Sequence, residues 1–99
     1  MLDDLDTMNK NLLRGRILKA LHVVGRLGAA ESLVRKSLNA AGFTVLPGEL
    51  RNQLNYLQEK GLITIQDPER ETWVLHISPA GTDVIEKNVK APPGIELDK

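Results

Sequence analysis

Between Leu50 and Ile85 the spacing of apolar residues changes period twice, from helical to strand-like and back, which restricts the fold more than any other stretch of the chain. Leu50, Leu54 and Leu57 stand at i, i+4 and i+7, the stripe of an amphipathic helix. Gly61 ends that helix. LITIQ and TWVLHI follow, rich in β-branched and aromatic residues as strands are, and the polar run Asp67-Pro68-Glu69-Arg70-Glu71 between them suits a hairpin turn. Ser78 is then a natural N-cap and Pro79 a natural first residue for a last helix holding Val84 and Ile85.

Upstream, Leu5, Met8, Leu12, Leu13, Ile17, Leu21 and Val24 recur at threes and fours, predicting a first helix from about Asp6 to Val24, ended by Gly25 and Gly28. A second helix reads AAESLVRKSLNAAG. Its inward face is expected to hold Ala30, Leu33, Val34, Ser37, Leu38 and Ala41, with Glu31 in the first turn, where the macrodipole favours an anion, and Gly42 in the left-handed C′ position. Arg35, Lys36 and Asn39 face outward. Phe43 to Leu46 form a short turn, and Pro47 suits the first position of the third helix. At 100° per residue, Gly48, Asn52, Asn55, Tyr56 and Glu59 lie opposite its leucine stripe, with Arg51 on the flank. Residues 1–90 are read as one domain, and the Pro-rich APPGIELDK as an extended or loosely docked tail over 91–99.

Ninety-nine residues suffice for one hydrophobic core, not for two lobes with a cleft between them. With no cysteine there is no disulfide, thiolate nucleophile or sulfur-ligated metal. The N-terminus MLDDLDTMNK lacks a basic n-region and an apolar core, and no apolar run approaches the roughly 18 residues of a membrane span. A cytoplasmic protein is expected. His22 and His76 are far apart in sequence with no metal-ligand spacing, and no phosphate loop or nucleophile motif occurs, so neither an enzyme, a metal site, a cofactor nor a small-molecule ligand is expected. Trp73, in a strand, is expected to pack the hairpin onto the helices.

The formal net charge of zero conceals a gradient. Residues 1–9 carry −3; residues 10–60 carry nine Lys/Arg against three Glu, or +6; residues 61–99 carry four Lys/Arg against seven Asp/Glu, or −3. The basic charge therefore lies in the part of the chain that holds the first three helices, as a polyanion-binding face requires.

Helix, hairpin and helix in this order form the back half of a winged helix-turn-helix. The run QLNYLQEKGLI, leading into a hairpin closed by ISPAGTDVI, resembles the winged-helix domains of the MarR, PadR and ArsR groups of bacterial repressors. That resemblance implies an α+β, mostly α fold of three helices, a two-stranded β-hairpin wing and a C-terminal helix. Over roughly Asn11 to Ile95, ESLVRKSLNAAGF, ELRNQLNYLQEKGLITI, WVLHISPAGTDVI and VKAPPGI are similar to small proteins of Mu-like transposable phages and prophages. This second resemblance implies a prophage gene in a bacterial host and a task in phage regulation or DNA handling. The acidic turn departs from the basic wing usual in such domains, since its three carboxylates oppose the single Arg70.

The expected function is a DNA-binding transcriptional regulator with the third helix in the major groove of double-stranded DNA. Asn52 and Asn55 are the candidate base readers, because an Asn amide pairs with both N6 and N7 of adenine, and Arg51 joins them from the flank. Arg35, Lys36, Tyr56, Lys60 and Arg70 are the candidate phosphate contacts, and Arg14, Arg16 and Lys19 of the first helix could also position the domain. A homodimer is expected, since one small module buries too little surface for useful specificity. Its surfaces would be the first and fourth helices, with Leu2, Leu5 and Met8 as surplus apolar residues. The alternative is a winged helix used as a protein–protein adaptor in phage DNA packaging or assembly, which zero net charge, an acidic wing and a Pro-rich tail favour.

Overall fold

The computed structural model describes residues 2–97, the side chains of 2–8 excepted. Within those residues the chain is α+β. Helix α1 (Leu2–Val24) leads through a 3₁₀ turn (Gly25–Leu27) into strand β1 (Ala29–Ala30), followed by α2 (Glu31–Ala40), α3 (Pro47–Glu59), β2 (Ile63–Gln66), β3 (Val74–Ile77) and α4 (Pro79–Ile85). The strands form one antiparallel sheet in the order β1-β3-β2, with Ala29 opposite Leu75 and Ile65 opposite Leu75 on the other side.

The helix ends obey local rules. Gly42 and Gly61 take positive φ just beyond α2 and α3, where only glycine adopts the left-handed turn without strain. The Ser78 hydroxyl accepts the Gly81 amide at 3.0 Å and also donates to the Gly61 carbonyl at 2.6 Å. One cap therefore fastens the start of α4 to the end of α3.

The core takes Leu13, Ile17, Leu18 and Leu21 from α1, Val34 and Leu38 from α2, and Leu50, Leu54 and Leu57 from α3. Ile63, Ile65, Trp73 and Leu75 of the hairpin close it. Trp73 packs as expected, and its indole N–H donates to the Pro68 carbonyl at 2.9 Å.

Four features differ from the sequence reading. Helix α1 begins at Leu2, not Asp6. The sheet has three strands rather than two, because Ala29 and Ala30 pair with β3 instead of opening α2. Leu33 is 56 % exposed, and Ser37 and Ala41 are exposed with it. The buried stripe of α2 is narrow, centred on Val34 and Leu38, and Leu33 lies 100° away from Val34, where no element of the described residues buries it.

The fourth difference is the tail. Ile95 is 7 % exposed and belongs to the core, the Glu96 amide donates to the Asn11 carbonyl at 3.1 Å, and the Ile95 amide turns back onto Pro92 at 3.2 Å. The close approach needs Gly15, where a Cβ would collide with the Glu96 carbonyl. Residues 91–97 thus form a docked strap across α1 and α3.

Candidate nucleic-acid interface

The outer face of α3 follows from its stripe. With Leu50, Gln53, Leu54 and Leu57 turned inward, Gly48, Glu49, Asn52, Asn55, Gln58 and Glu59 are exposed. Asn52 and Asn55 lie on adjacent turns, and among the described residues neither side chain makes a hydrogen bond. Their amides are available to a partner.

Arg51 is held within the protein instead. Its Nε donates to Glu31 Oε2 at 2.9 Å, its Nη2 donates to Glu31 Oε1 at 2.5 Å, and Nη2 also reaches the Glu71 carbonyl at 2.6 Å. The guanidinium lies over the Trp73 ring, 4.2 Å from its centroid, in a cation–π contact. Glu31 Oε1 further accepts the Trp73 amide at 3.0 Å. The Arg51 hydrogen bonds hold the Glu31 carboxyl below the ordinary carboxylate range, against the opposing effect of burial, and the Trp73 amide adds to the lowering. The Glu31 carboxylate in turn raises the Arg51 pKa. The start of α2, the flank of α3 and the returning strand of the hairpin are tied together at this point. Arg51 does not project toward a base as the sequence reading placed it, because its fork is matched to a carboxylate.

Tyr56 is engaged on the opposite flank. Arg14 stacks on its ring at 3.6 Å, and its hydroxyl donates to the Pro93 carbonyl at 3.3 Å. The Lys60 ammonium, exposed at the end of α3, lies 5.5 Å from the same ring centroid. Arg14 also donates to Gln53, a polar side chain 5 % exposed in the core, at 2.7 Å and to the Gly94 carbonyl at 3.1 Å. This places Arg14 inside the molecule rather than toward a ligand.

Arg35 lines a groove between α2, α3 and the hairpin turn, together with Ser32, Gly48, Arg51, Glu71 and Thr72. Lys36, one residue on, is exposed and does not line it. Arg70 is exposed on the turn, 3.8 Å from Asp67, a spacing at which a surface pair contributes little. Arg16 and Lys19 border a different groove, between α1 and α2, with contacts of their own.

Part of the basic charge of the sequence is thus taken up within the protein. Arg14 is turned inward and Arg51 is neutralised. Along α2, α3 and the turn, the cations Arg35, Lys36, Lys60 and Arg70 lie among the exposed carboxylates Glu49, Glu59, Glu69 and Glu71.

Sequence spacing offers no sign of Glu31 as a partner of Arg51, nor of Arg14 as a partner of Gln53 and Tyr56, since these contacts span 20 residues or more. Among the described residues no three His, Asp or Glu side chains stand together as metal ligands. His22 pairs with Glu86 at 3.0 Å and His76 with Gln66 at 3.1 Å. No helix of the described residues is long and apolar enough to cross a membrane. The side chains of Leu2, Leu5 and Met8, the expected dimer residues, lie outside the described residues.

No protein-family model and no curated protein matches the chain. Its fold is similar to that of a solved structure of RosR from H. salinarum, with a TM-score of 0.65 and 21 % sequence identity over 77 % of this chain and 67 % of that one. At that identity the likeness concerns the fold alone. Four helices and a three-stranded antiparallel sheet within the described residues are consistent with a winged helix.

Proposed function

We propose that this protein is a winged-helix DNA-binding protein, a transcriptional regulator that reads duplex DNA with α3. The observation that carries this reading is the pair Asn52 and Asn55, exposed on adjacent turns of α3 and without hydrogen-bond partners among the described residues. An Asn amide offers a donor and an acceptor to adenine in the major groove. Arg35, Lys36, Lys60 and Arg70 are assigned to phosphates, which fix register without reading sequence. Arg51 and Tyr56 are left out, because their polar atoms already have partners. The likeness to RosR supports the fold that this reading requires.

A homodimer is part of the proposal, since paired half-sites supply the specificity one module lacks. The prophage setting, and with it a bacterial cytoplasm, rests on the resemblance to proteins of Mu-like phages. The decisive experiment is titration of duplex DNA flanking the gene across a salt series. Binding that weakens steeply with salt is expected. Absence of binding near 50 mM salt at about 100 µM protein ends this reading, because even non-specific binders are detected there.

One observation favours a second reading, a protein–protein adaptor. The cations of α2, α3 and the turn are balanced by carboxylates, which suits a protein partner better than a polyanion. A protein that ignores duplex DNA at low salt but retains a phage assembly protein in a pairwise pull-down fits that reading.

A further inference from the structure

The cation nearest the two asparagines in the chain is Arg51, one residue before Asn52, and it is held in a two-pronged ion pair with Glu31. An unpaired Arg at that position would contact a phosphate of any sequence and release about one counterion as it did so.

The geometry points to Glu31 as an affinity-limiting residue: it is the internal counter-ion that keeps Arg51 out of the count of cations α3 offers to DNA. This inference rests on the DNA-binding reading above.

Three observations make Glu31 hard for a phosphate to displace. Its side chain is only 14 % exposed, whereas that of Arg51 is 36 % exposed. Both carboxylate oxygens are engaged by the guanidinium in the fork geometry that an arginine and a carboxylate share. The oxygen nearest Nη2 also accepts the Trp73 amide, so a departing Glu31 would leave that amide unpaired in a half-buried setting. Arg51 is fixed from its other side by the Trp73 ring and the Glu71 carbonyl. A tightly closed pair presents a dipole, not a charge, to a phosphate beyond it. Arg35 shares the groove but has no ion pair among the described residues, and so it carries the charge the groove can offer.

The test compares the full-length protein with Glu31→Gln, Arg51→Met and the double variant, each titrated from 50 to 300 mM KCl. Two duplexes are used, one carrying the best-bound sequence and one a scramble of it. The glutamine side chain introduced by Glu31→Gln retains an acceptor for the Trp73 amide but no charge. Glu31→Gln should steepen the slope of log affinity against log salt by about 0.9 and raise affinity about eight-fold at 0.1 M salt, equally on both duplexes. Arg51→Met should leave the wild-type slope unchanged, and the double variant should return to it.

A slope for Glu31→Gln equal to or shallower than wild type overturns the inference. So does a slope for Arg51→Met shallower by about 0.9, which would mean Arg51 already meets a phosphate. If the wild type binds and either result appears, this inference fails alone. If the wild type does not bind duplex DNA at 50 mM salt, the DNA-binding reading fails and takes this inference with it.

Discussion

Arg14 lies flat on Tyr56, its guanidinium carbon 3.6 Å from the ring centroid, and from that position it joins α1, α3 and the C-terminal strap. A cation that sequence position would assign to the surface is here a structural joint. Replacing Arg14 with Met keeps the aliphatic stem but removes the hydrogen bonds to Gln53 and Gly94, leaving a buried amide oxygen without its donor. A loss of about 2 kcal/mol is expected in urea unfolding at neutral pH. A loss below about 0.5 kcal/mol with an unchanged m-value would show the joint to be dispensable.

The strap should be equally sensitive at Gly15. A methyl group there meets the Glu96 carbonyl, so Gly15→Ala should lift residues 94–97 off α1 and expose Ile95. Amide exchange at Glu96 reports this directly, since its N–H is bonded to Asn11. Protection of that amide equal to wild type in the variant contradicts the packing. Ile95→Ala, which removes the buried side chain itself, should destabilise by about 2–3 kcal/mol.

The Glu31–Arg51 pair gives stability a definite dependence on acid. The folded state holds the Glu31 carboxyl below the ordinary range, so the unfolded chain takes up that proton first. The contribution is complete above the ordinary carboxylate pKa and is lost as pH falls through the lower, folded-state value. Urea unfolding measured from pH 7 down to pH 3 should show a steeper acid loss for the wild type than for Glu31→Gln. Parallel curves would remove Glu31 as a source of that loss.

If α3 reads bases, its asparagines and the α2 cation should fail in different ways. Asn52→Ala should weaken the preferred duplex by about 1–3 kcal/mol while leaving a scrambled duplex nearly unaffected. Arg35→Ala should weaken both alike and reduce the salt slope by about 0.9. An equal effect of Asn52→Ala on both duplexes would mean that the amide does not read sequence.

Particular residues show which parts of this molecule are legible in its sequence. Gly42, Gly61 and the Ser78-Pro79 pair mark helix ends because capping is decided within four or five residues. The leucines of α3 identify its outer face for the same reason, and so Asn52 and Asn55 are found where periodicity places them. What escapes is set by distant partners. Ala29 and Ala30 read as the opening of α2 until β3 arrives beside them, and Arg51 reads as a free cation until Glu31 and Trp73 close on it. Tyr56 and Ile95 are settled by each other's segments, which no local pattern connects.

The sheet order also sets a sequence of events in time. Seven residues separate Gln66 from its partner Val74, whereas forty-three separate Ala30 from the same residue. Closing the longer loop costs about 1.6 kcal/mol more in chain entropy, so the hairpin should form before the two-residue strand joins it. Ile65→Val should then slow folding, and Ala29→Gly should mainly speed unfolding; the reverse assignment in a chevron analysis would refute this order. On this account β1 is a late clasp, engaged only after α1 and α2 have been drawn against a hairpin that already exists.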